Sequence, residues 1–350
     1  MKAAVCYTFG EPLQVVDVTL DAPRAEEVKV RVAATAVCHS DVHLIRGEWS
    51  GATPIVAGHE AAGVVEEVGE DVTHVKPGDR VVVSLVRSCG LCAQCARGAL
   101  HNCEGVFAID SESRMHDVEG RAMQHGGIKT TAFAEQTIVH QSQVVPIPDS
   151  MPFDRAALIG CGVITGIGAV LNTAQVPAGA SVVVIGAGGV GLNAIQGAVL
   201  AGAASITAID RLDAKLEAAT RFGATRTTMD PKSVRGVDYA FVAVGSPEAV
   251  VDALRMIRRG GTVVVVGMPG VRTTAQVRVF DLVWSEQRLM GSRMGGTSLH
   301  EDVPRYVALY LDGRLKLDEL ITARYSLDGI NEAIEVMEKG EALRNVIVFS

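Results

Sequence analysis

The stretch S-V-V-V-I-G-A-G-G-V-G, residues 181–191, decides the fold of much of this chain. It predicts a short apolar strand that ends in a G-x-G-x-x-G turn and leads into a helix over about residues 190–200. The glycines of such a turn let the backbone approach a pyrophosphate, whose charge meets the amino end of the helix. Asp210 stands at the end of the next strand, 19 residues past Gly191. A purely structural glycine turn is the alternative, but strand, helix and acidic residue all occur where a dinucleotide site needs them.

The same alternation of strands and helices continues on the carboxyl side of this turn. Apolar runs alternate with helix-length segments over residues 180–267, and the runs are apolar on both faces. This pattern predicts a parallel sheet covered by helices. Two more amphipathic helices are expected near 302–311 and 328–338, followed by a terminal strand, N-V-I-V-F, that returns to the first domain.

The amino-terminal part of the chain has a different pattern. Short segments alternate between apolar and polar residues, as in E-V-K-V-R-V, which puts Val28, Val30 and Val32 on one face. Several such segments, each bounded by Gly, Pro or Asp, predict a small and mostly antiparallel β domain. The pattern changes after residues 146–149, so two domains are expected.

Composition and charge exclude several classes of function. The 350 residues are 48% hydrophobic with 37 glycines, which fits a Gly-rich α/β protein and not a disordered chain. A net charge of -8 without a basic block argues against nucleic acid or an anionic membrane as a partner. The sequence shows no signal peptide, and its apolar runs are far shorter than the about 20 residues of a membrane helix. A cytoplasmic protein is therefore expected.

Four cysteines form the strongest metal motif: Cys89, Cys92, Cys95 and Cys103, on a loop that contains several glycines. Sulfurs with this spacing can converge on one tetrahedral zinc ion and fill every coordination position. A closed site has a structural role, because it fixes a loop that has little core of its own. Two local disulfides or free thiols are the alternative, which a reducing compartment disfavours.

A second metal site is expected around V-C-H-S-D-V-H, residues 37–43, and G-H-E, residues 58–60. Cys38 and His59 are ligands that suit zinc better than magnesium or calcium. Two ligands cannot hold zinc alone. Cys161 is predicted to be the third ligand, because it lies between two glycines in a loop that is expected to be accessible. A set of three ligands leaves one position open for water or substrate. A cysteine packed as a small core hydrophobe is the alternative.

These motifs resemble the zinc-dependent medium-chain alcohol dehydrogenases over essentially the whole chain. The resemblance rests on C-H-S-D-V-H, G-H-E-A-A-G-V-V, K-P-G-D-R-V, the four-cysteine loop, G-C-G-V-I-T-G, G-A-G-G-V-G and L-R-N-V-I-V-F. It implies an α/β fold with a GroES-like, mostly antiparallel catalytic domain at residues 1–162 and 294–350, which carries the structural zinc loop 89–103. Residues 163–293 would form a Rossmann NAD-binding domain with a doubly wound parallel sheet. Two zinc ions per chain and NAD are the implied cofactors.

The resemblance assigns roles around the catalytic zinc. Cys38, His59 and Cys161 match the zinc ligands, and Glu60 matches a carboxylate near the metal that can transiently ligate it. Asp41 matches a partner of His59 that orients the imidazole ring and raises its basicity.

The resemblance also implies a proton relay and a cofactor site. Ser40 and His43 match the relay, in which the hydroxyl takes the alcohol proton and passes it through the nicotinamide ribose to the imidazole. The residues that match NAD contacts are His39, Thr165, Gly186, Gly188, Gly189, Val190, Gly191, Asp210, Lys215, Val244, Met268 and Arg344. Asp210 favours NAD, because its carboxylate accepts the ribose hydroxyls and repels a 2′-phosphate.

The implied substrate is a small neutral alcohol, aldehyde or ketone, because Trp49, Leu85, Phe133 and Met268 match pocket residues and are apolar. The expected reaction transfers a hydride between an alcohol and NAD. Two alternatives stay open: an NAD(P)H-dependent carbonyl reductase that works mainly in the reductive direction, and a non-catalytic zinc- and nucleotide-binding protein. Family resemblance implies a homodimer or homotetramer, with V-R-V-F-D-L-V-W, residues 277–284, as the expected contact.

Overall fold

The structure is a computed structural model that describes residues 1–49 and 51–349. The chain divides into two compact units, one formed by Met1–Cys161 with Ser298–Ser350 and the other by Gly162–Thr297. The strands are β1 (Lys2–Cys6), β2 (Gln14–Leu20), β3 (Glu27–Ala36), β4 (Ile55–Val56), β5 (Glu60–Val68), β6 (Arg80–Ser84), β7 (Met115–Asp117), β8 (Gln136–His140), β9 (Val144–Pro146), β10 (Ser181–Ile185), β11 (Ser205–Ile209), β12 (Arg226–Thr228), β13 (Val237–Val242), β14 (Ile257–Val265), β15 (Arg288–Gly291), β16 (Ile321–Tyr325) and β17 (Arg344–Val348). The α-helices are α1 (His39–Ile45), α2 (Ala93–Ala96), α3 (Phe153–Leu158), α4 (Ile164–Gly168), α5 (Gly189–Leu200), α6 (Asp213–Arg221), α7 (Pro247–Met256), α8 (Val279–Trp284), α9 (Leu299–Leu311) and α10 (Ile330–Glu338).

Two sheets build the first unit. The larger sheet has the strand order β16-β17-β3-β5-β6-β9, and β8 also pairs with β3. The smaller sheet has the order β4-β1-β2-β7. Apart from the parallel pair β16 and β17, the paired strands of both sheets run antiparallel. The prediction of a mostly antiparallel β domain is confirmed, and the terminal strand β17 returns to it by pairing with β3.

The alternating pattern of β3 determines which of its faces is buried. Val28, Val30 and Val32 are fully or almost fully buried, whereas Lys29 and Arg31 between them keep solvent contact. Complete burial of one such valine contributes about 1.5–3 kcal/mol. The period of two in the sequence therefore fixes the register of the strand, because a shift by one residue would turn the valines to solvent.

Residues 110–127, whose role the sequence leaves open, extend the smaller sheet and add to the core of the unit. Within them β7 pairs with β2, and Met115 and Met123 enter the hydrophobic core of the unit. Arg114 is also buried, and its guanidinium donates two hydrogen bonds of 2.8 Å to the carboxylate of Glu27. A bidentate pair of this kind holds the segment in place, and the charges of Arg114 and Glu27 compensate each other.

The second unit contains one parallel sheet with the strand order β12-β11-β10-β13-β14-β15. The order reverses between β10 and β13, which is the switch point where doubly wound sheets bind ligands at the carboxyl ends of their strands. The central strand β10 is buried on both faces, as its continuous apolar run predicts. The predicted doubly wound Rossmann sheet is confirmed.

The helical run Phe153–Thr173 is longer than the sequence predicts for an apolar segment of this chain. Phe153–Thr173 is long and apolar enough to cross a membrane, with a mean hydropathy of 1.7 over its best window. However, 83% of that window is buried inside the protein, where a membrane helix would face lipid. The run is therefore a core helix, and its interrupting glycines and threonines are why the sequence reads as several short runs.

Candidate active site

The carboxylate of Asp41 organises the residues around the expected catalytic metal. Its Oδ2 accepts a hydrogen bond of 3.0 Å from the backbone N–H of Cys38, at the start of α1. Its Oδ1 accepts one of 2.9 Å from the backbone N–H of Gly58 and lies 2.8 Å from Nδ1 of His59. Because Asp41 and His59 are fully buried, this carboxylate fixes the helix start and the imidazole ring together.

Four side chains converge next to Asp41. Cys38, His59, Glu60 and Cys161 present ligand atoms that all lie within 4.8 Å of one another. Nε2 of His59 is buried and has no hydrogen-bond partner in the described part of the chain, and the same holds for Oε1 of Glu60, 4.0 Å away. A buried polar atom without a partner costs about 1–3 kcal/mol. Two sulfurs and one free imidazole nitrogen fit a zinc ion, so the donor set suits the predicted ligands, whose role stays a prediction.

The charges of this cluster also fit a cation. The contact with Cys161 and the nearby His59 lower the pKa of Cys38 well below its usual range, although burial opposes this. The same contact, together with burial, raises the pKa of Cys161. Burial alone would lower the pKa of His59, but the carboxylate of Asp41 raises it well above its usual value. A divalent cation bound here would neutralise a thiolate at Cys38 and would replace the proton that the raised pKa leaves on His59.

The position of Cys161 differs from the prediction. The sequence predicts an accessible loop, whereas Cys161 lies in a π-helical stretch, Ile159–Val163, and is only 6% exposed. Gly160 beside it packs so closely on β6 that a Cβ atom would stand 2.6 Å from the carbonyl oxygen of Val83. Its own carbonyl accepts a hydrogen bond of 2.6 Å from Oγ of Ser84. The flanking glycine thus permits close packing, and it does not serve to expose the thiol.

An ion pair that the sequence did not reveal adjoins the metal cluster. Nη2 of Arg344 donates a hydrogen bond of 2.5 Å to Oε2 of Glu60, and both side chains are buried. Burial raises the pKa of Glu60 to about 7, although the guanidinium opposes the shift. Burial alone would lower the pKa of Arg344, but the carboxylate of Glu60 outweighs this effect and raises the pKa. Arg344 is predicted to contact a pyrophosphate, and its Nε has no partner in the described residues, so one donor remains available.

The two predicted relay residues lie on α1. Ser40 and His43 are three positions apart, so they share a helix face. His43 is partly buried, and its Nδ1 lies 2.5 Å from Oε2 of Glu48, which belongs to none of the predicted site residues. His39, a predicted cofactor contact, is exposed in the first turn of the same helix.

The four-cysteine loop brings its sulfurs together. Cys89, Cys92, Cys95 and Cys103 present sulfur atoms within 4.8 Å of one another, and none of these four is paired in a disulfide in the structure. Backbone N–H groups point at the sulfurs: that of Cys92 lies 3.3 Å from Sγ of Cys89, and hydrogen bonds from the backbone of Cys95 and Glu104 lower the pKa of Cys92 to about 6. Backbone donors that stabilise thiolates are what a closed Cys₄ zinc site needs.

The glycine turn after β10 has an open approach for a phosphate. Gly186 has a φ of +93°, and a Cβ atom there would stand 2.4 Å from Cγ1 of Val244. A Cβ atom on Gly191 would stand 1.7 Å from the carbonyl oxygen of Gly186, so only glycine lets α5 start so close to the strand. Gly188, at the N-cap of α5, faces open space instead. Gly189 and the half-buried Val190 form the first turn of the helix, whose N–H groups can meet an anion.

Asp210 sits directly after β11 beside this turn. Its Oδ2 accepts a hydrogen bond of 2.8 Å from the backbone N–H of Ala187, and its Oδ1 accepts one of 3.1 Å from that of Leu212. Each carboxylate oxygen has a further lone pair that could accept a ribose hydroxyl. Lys215, in the first turn of α6, is mostly buried, and this burial lowers its pKa.

Three further predicted cofactor residues lie in the second unit. Val244 and Met268 follow β13 and β14, so they stand at the same carboxyl edge of the sheet as the glycine turn. Met268 is 61% exposed. Thr165 in α4 is nearly buried, and its hydroxyl lies 3.7 Å from the sulfur of Met294.

The predicted substrate residues of the first unit differ in accessibility. Trp49 and Leu85 are partly exposed, as a binding wall requires. Phe133 is fully buried and packs in the hydrophobic core of the unit, and its role in a substrate pocket stays a prediction. Its burial arises because Gly58, with a φ of +92°, brings the chain so close that a Cβ atom there would stand 2.6 Å from Cδ1 of Phe133.

Fold and donor sets together define a dehydrogenase of the zinc-binding class, and comparison with known families agrees. Residues 24–149 match the family model described as Alcohol dehydrogenase GroES-like domain, and residues 189–312 match the one described as Zinc-binding dehydrogenase. The chain belongs to the zinc-dependent medium-chain alcohol dehydrogenase family.

Individual relatives cover the whole chain. The chain is similar to a putative alcohol dehydrogenase D of Mycobacterium tuberculosis, with 38% identity over 99% of both chains. It is 36% identical to an S-(hydroxymethyl)glutathione dehydrogenase of Paracoccus denitrificans, again over 99% of each. Among solved structures, benzyl alcohol dehydrogenase of Acinetobacter calcoaceticus superposes with a TM-score of 0.93 at 32% identity, and the match covers 100% of this chain and 99% of that one.

Proposed function

We propose that this chain is a zinc- and NAD-dependent alcohol dehydrogenase that oxidises a small neutral alcohol to an aldehyde or ketone. The observation that carries the proposal is the buried, unpartnered Nε2 of His59, surrounded by the sulfurs of Cys38 and Cys161 and a free oxygen of Glu60. A structural core would satisfy this nitrogen with a hydrogen bond, whereas a metal ligand has to keep it free.

The first unit would be the catalytic domain and the second the NAD-binding domain. Zinc supplies Lewis acidity that lowers the pKa of an alcohol bound to it, and NAD accepts the hydride. Asp41 keeps Nε2 of His59 available, because the ring nitrogen that faces its carboxylate carries the proton. Arg344 holds Glu60 by one oxygen and leaves the other free to approach a metal.

Proton removal falls to residues of α1. Ser40 accepts the proton of the bound alcohol, and His43, one helical turn further on, releases it to solvent. Such a relay contributes to the rate because the alcohol loses its proton without a free hydroxide ion in the site.

The cofactor proposal rests on Asp210 and the glycine turn. The carboxylate is already held by two backbone donors, so it would meet the ribose hydroxyls in a fixed orientation and repel a 2′-phosphate. NAD is therefore proposed over NADP.

The substrate proposal is an alcohol of apolar character, and aromatic primary alcohols come first. Partly exposed Trp49 and Leu85 supply apolar surface, and one structural relative is a benzyl alcohol dehydrogenase. Another relative acts, by its name, on S-(hydroxymethyl)glutathione, an anionic substrate. The apolar Trp49 favours the neutral alcohol, because a charged substrate needs cationic or polar partners.

A substrate panel tests the proposal. NADH formation near pH 8 is measured with primary, secondary, aromatic and terpenoid alcohols and with S-(hydroxymethyl)glutathione, and reduction of the corresponding aldehydes is followed with NADH and NADPH. Turnover of neutral alcohols with NAD is expected. Turnover only in the reductive direction with NADPH would support the carbonyl reductase instead. No turnover in either direction by protein with a full zinc content would refute an enzymatic function.

Self-association and a cytoplasmic location are also proposed. In α8 the side chains of Val279, Phe280, Val283 and Trp284 are mostly exposed, and the rings of Phe280 and Trp284 stack at 5.9 Å. Contiguous apolar surface of this kind is typical of an interface, and we assign it to a second copy in a homodimer or homotetramer. Phe280→Asp should lower the molar mass measured by light scattering, whereas an unchanged mass would refute this interface.

A further inference from the structure

The surroundings of His43 contain a carboxylate that no assignment so far uses. After α1 the chain reverses at Gly47, whose φ is +72°. The backbone N–H of Glu48 donates a hydrogen bond of 2.9 Å to the carbonyl of His43, which brings the two side chains together. Oε2 of Glu48 then lies 2.5 Å from Nδ1 of His43.

The geometry fixes the donor and the acceptor of this contact. An ionised carboxylate can only accept a hydrogen bond, so Nδ1 of the imidazole carries the hydrogen. In a neutral ring the other nitrogen, Nε2, is then the one that can accept a proton. A free histidine in water exchanges between the two tautomers, whereas His43 beside Glu48 is held in one of them.

Trp49 restrains the same ring in a second way. The rings of His43 and Trp49 stack with centroids 5.4 Å apart and an angle of 22° between their planes. Trp49 itself packs against the hydrophobic core of the first unit, so its indole gives the imidazole a fixed surface. The carboxylate thus sets the tautomer and the indole restrains the plane of the ring.

We propose that Glu48 and Trp49 are positioning residues for His43, which hold its imidazole with Nδ1 protonated and Nε2 ready to accept a proton. This inference deepens the proposed function, because His43 matters to the reaction only as the last member of the proton relay. One consequence concerns specificity. Trp49 also supplies apolar surface for the substrate, so a change at this position alters both the fit of the alcohol and the release of its proton.

The tautomer is measured directly by NMR of protein labelled with ¹⁵N-histidine, without any substrate or added cofactor. The signals of His43 are assigned by their loss in His43→Gln. In the wild-type protein we expect a protonated Nδ1 and an unprotonated Nε2. Glu48→Ala should shift the population toward the Nε2–H form, and Glu48→Gln should keep the wild-type tautomer, because its amide oxygen still accepts a hydrogen bond. Glu70→Ala, which removes an exposed carboxylate elsewhere in the unit, is the matched control.

Kinetics give the second measurement. Glu48→Ala should lower the rate of alcohol oxidation by about two- to fivefold, which is the effect expected for a half-exposed contact of this type, and Glu48→Gln should restore most of the loss. Trp49→Phe should keep the tautomer and the proton release, while Trp49→Ala should slow proton release even with an alcohol that still binds. The same tautomer in Glu48→Ala and in the wild-type protein would overturn the inference. Absence of alcohol turnover in the wild type would instead overturn the proposed function, since the NMR result does not depend on it.

Discussion

Replacement of Asp41 by asparagine is the sharpest test of how the structure builds the metal centre. The substitution keeps the size of the side chain but removes its charge and one acceptor oxygen. The remaining oxygen can still accept hydrogen bonds from Gly58 and His59. The new NH₂ group faces the backbone N–H of Cys38, and two donors cannot form a hydrogen bond with each other. An unsatisfied buried N–H costs about 1–3 kcal/mol, and the two surviving hydrogen bonds lose their charge assistance. We expect a loss of roughly 2–4 kcal/mol in the free energy of unfolding.

The same change should weaken metal binding at this centre only. Loss of a carboxylate that orients a histidine ligand lowers metal affinity about 10–100-fold. The assay is zinc release to a chelator of graded affinity, combined with urea unfolding followed by circular dichroism. The control is Asp17→Asn, which removes a carboxylate that is 62% exposed and paired with exposed Lys2, and which should leave zinc release and the urea midpoint unchanged. Zinc release from Asp41→Asn at the same chelator concentration as from the wild type would show that Asp41 does not hold His59 for the metal.

Three further predictions concern other parts of the chain. Asp210→Ala should lower the preference for NAD over NADP by about tenfold or more, measured as the ratio of the two kcat/KM values; an unchanged ratio would mean that Asp210 does not contact the ribose. Cys95→Ser should remove one zinc ion per chain and speed proteolysis of the loop 89–103, while a protein with two zinc ions and a protected loop would contradict a Cys₄ site. For Asp238, hydrogen bonds from Ser181 and the nearby Arg258 lower the pKa to about 2. Because this pKa lies below the unfolded value, the stabilisation is present above about pH 4 and is lost as the pH falls toward 2. Asp238→Asn should therefore be less stable by roughly 1–2 kcal/mol at pH 6, and its deficit should shrink by pH 3; a deficit that does not depend on pH would contradict this assignment.

Local sequence patterns were enough for the fold. The alternation in β3 identifies its buried face, and the apolar run before Gly186 identifies a strand that is covered on both sides. Turn chemistry places the glycine turn, because only glycine tolerates the positive φ and the close approach found there. These features depend on neighbours in the sequence, which is why they can be recognised without a structure.

The parts of the site that the sequence did not reveal depend on contacts between distant segments. Glu60 and Arg344 are 284 positions apart, and no local pattern links them. Cys161 was expected in an accessible loop, but tight packing of Gly160 on β6 places it in a buried helical turn. The burial of Phe133 also depends on a distant segment, because the Gly58 turn packs closely against its ring. Glu48 is the exception: it lies only five positions after His43, and the helix-ending glycine between them was a usable signal.

We propose that Cys38, His59 and Cys161 hold the zinc ion at which an alcohol is oxidised. The decisive measurement is the zinc content per chain of the wild-type protein and of Cys161→Ser, determined by mass spectrometry. NADH formation from an alcohol is measured on the same two samples. We expect two zinc ions and turnover in the wild type. In Cys161→Ser we expect one zinc ion and no turnover, in a protein that still unfolds cooperatively. Two zinc ions and wild-type turnover in Cys161→Ser would contradict this proposal.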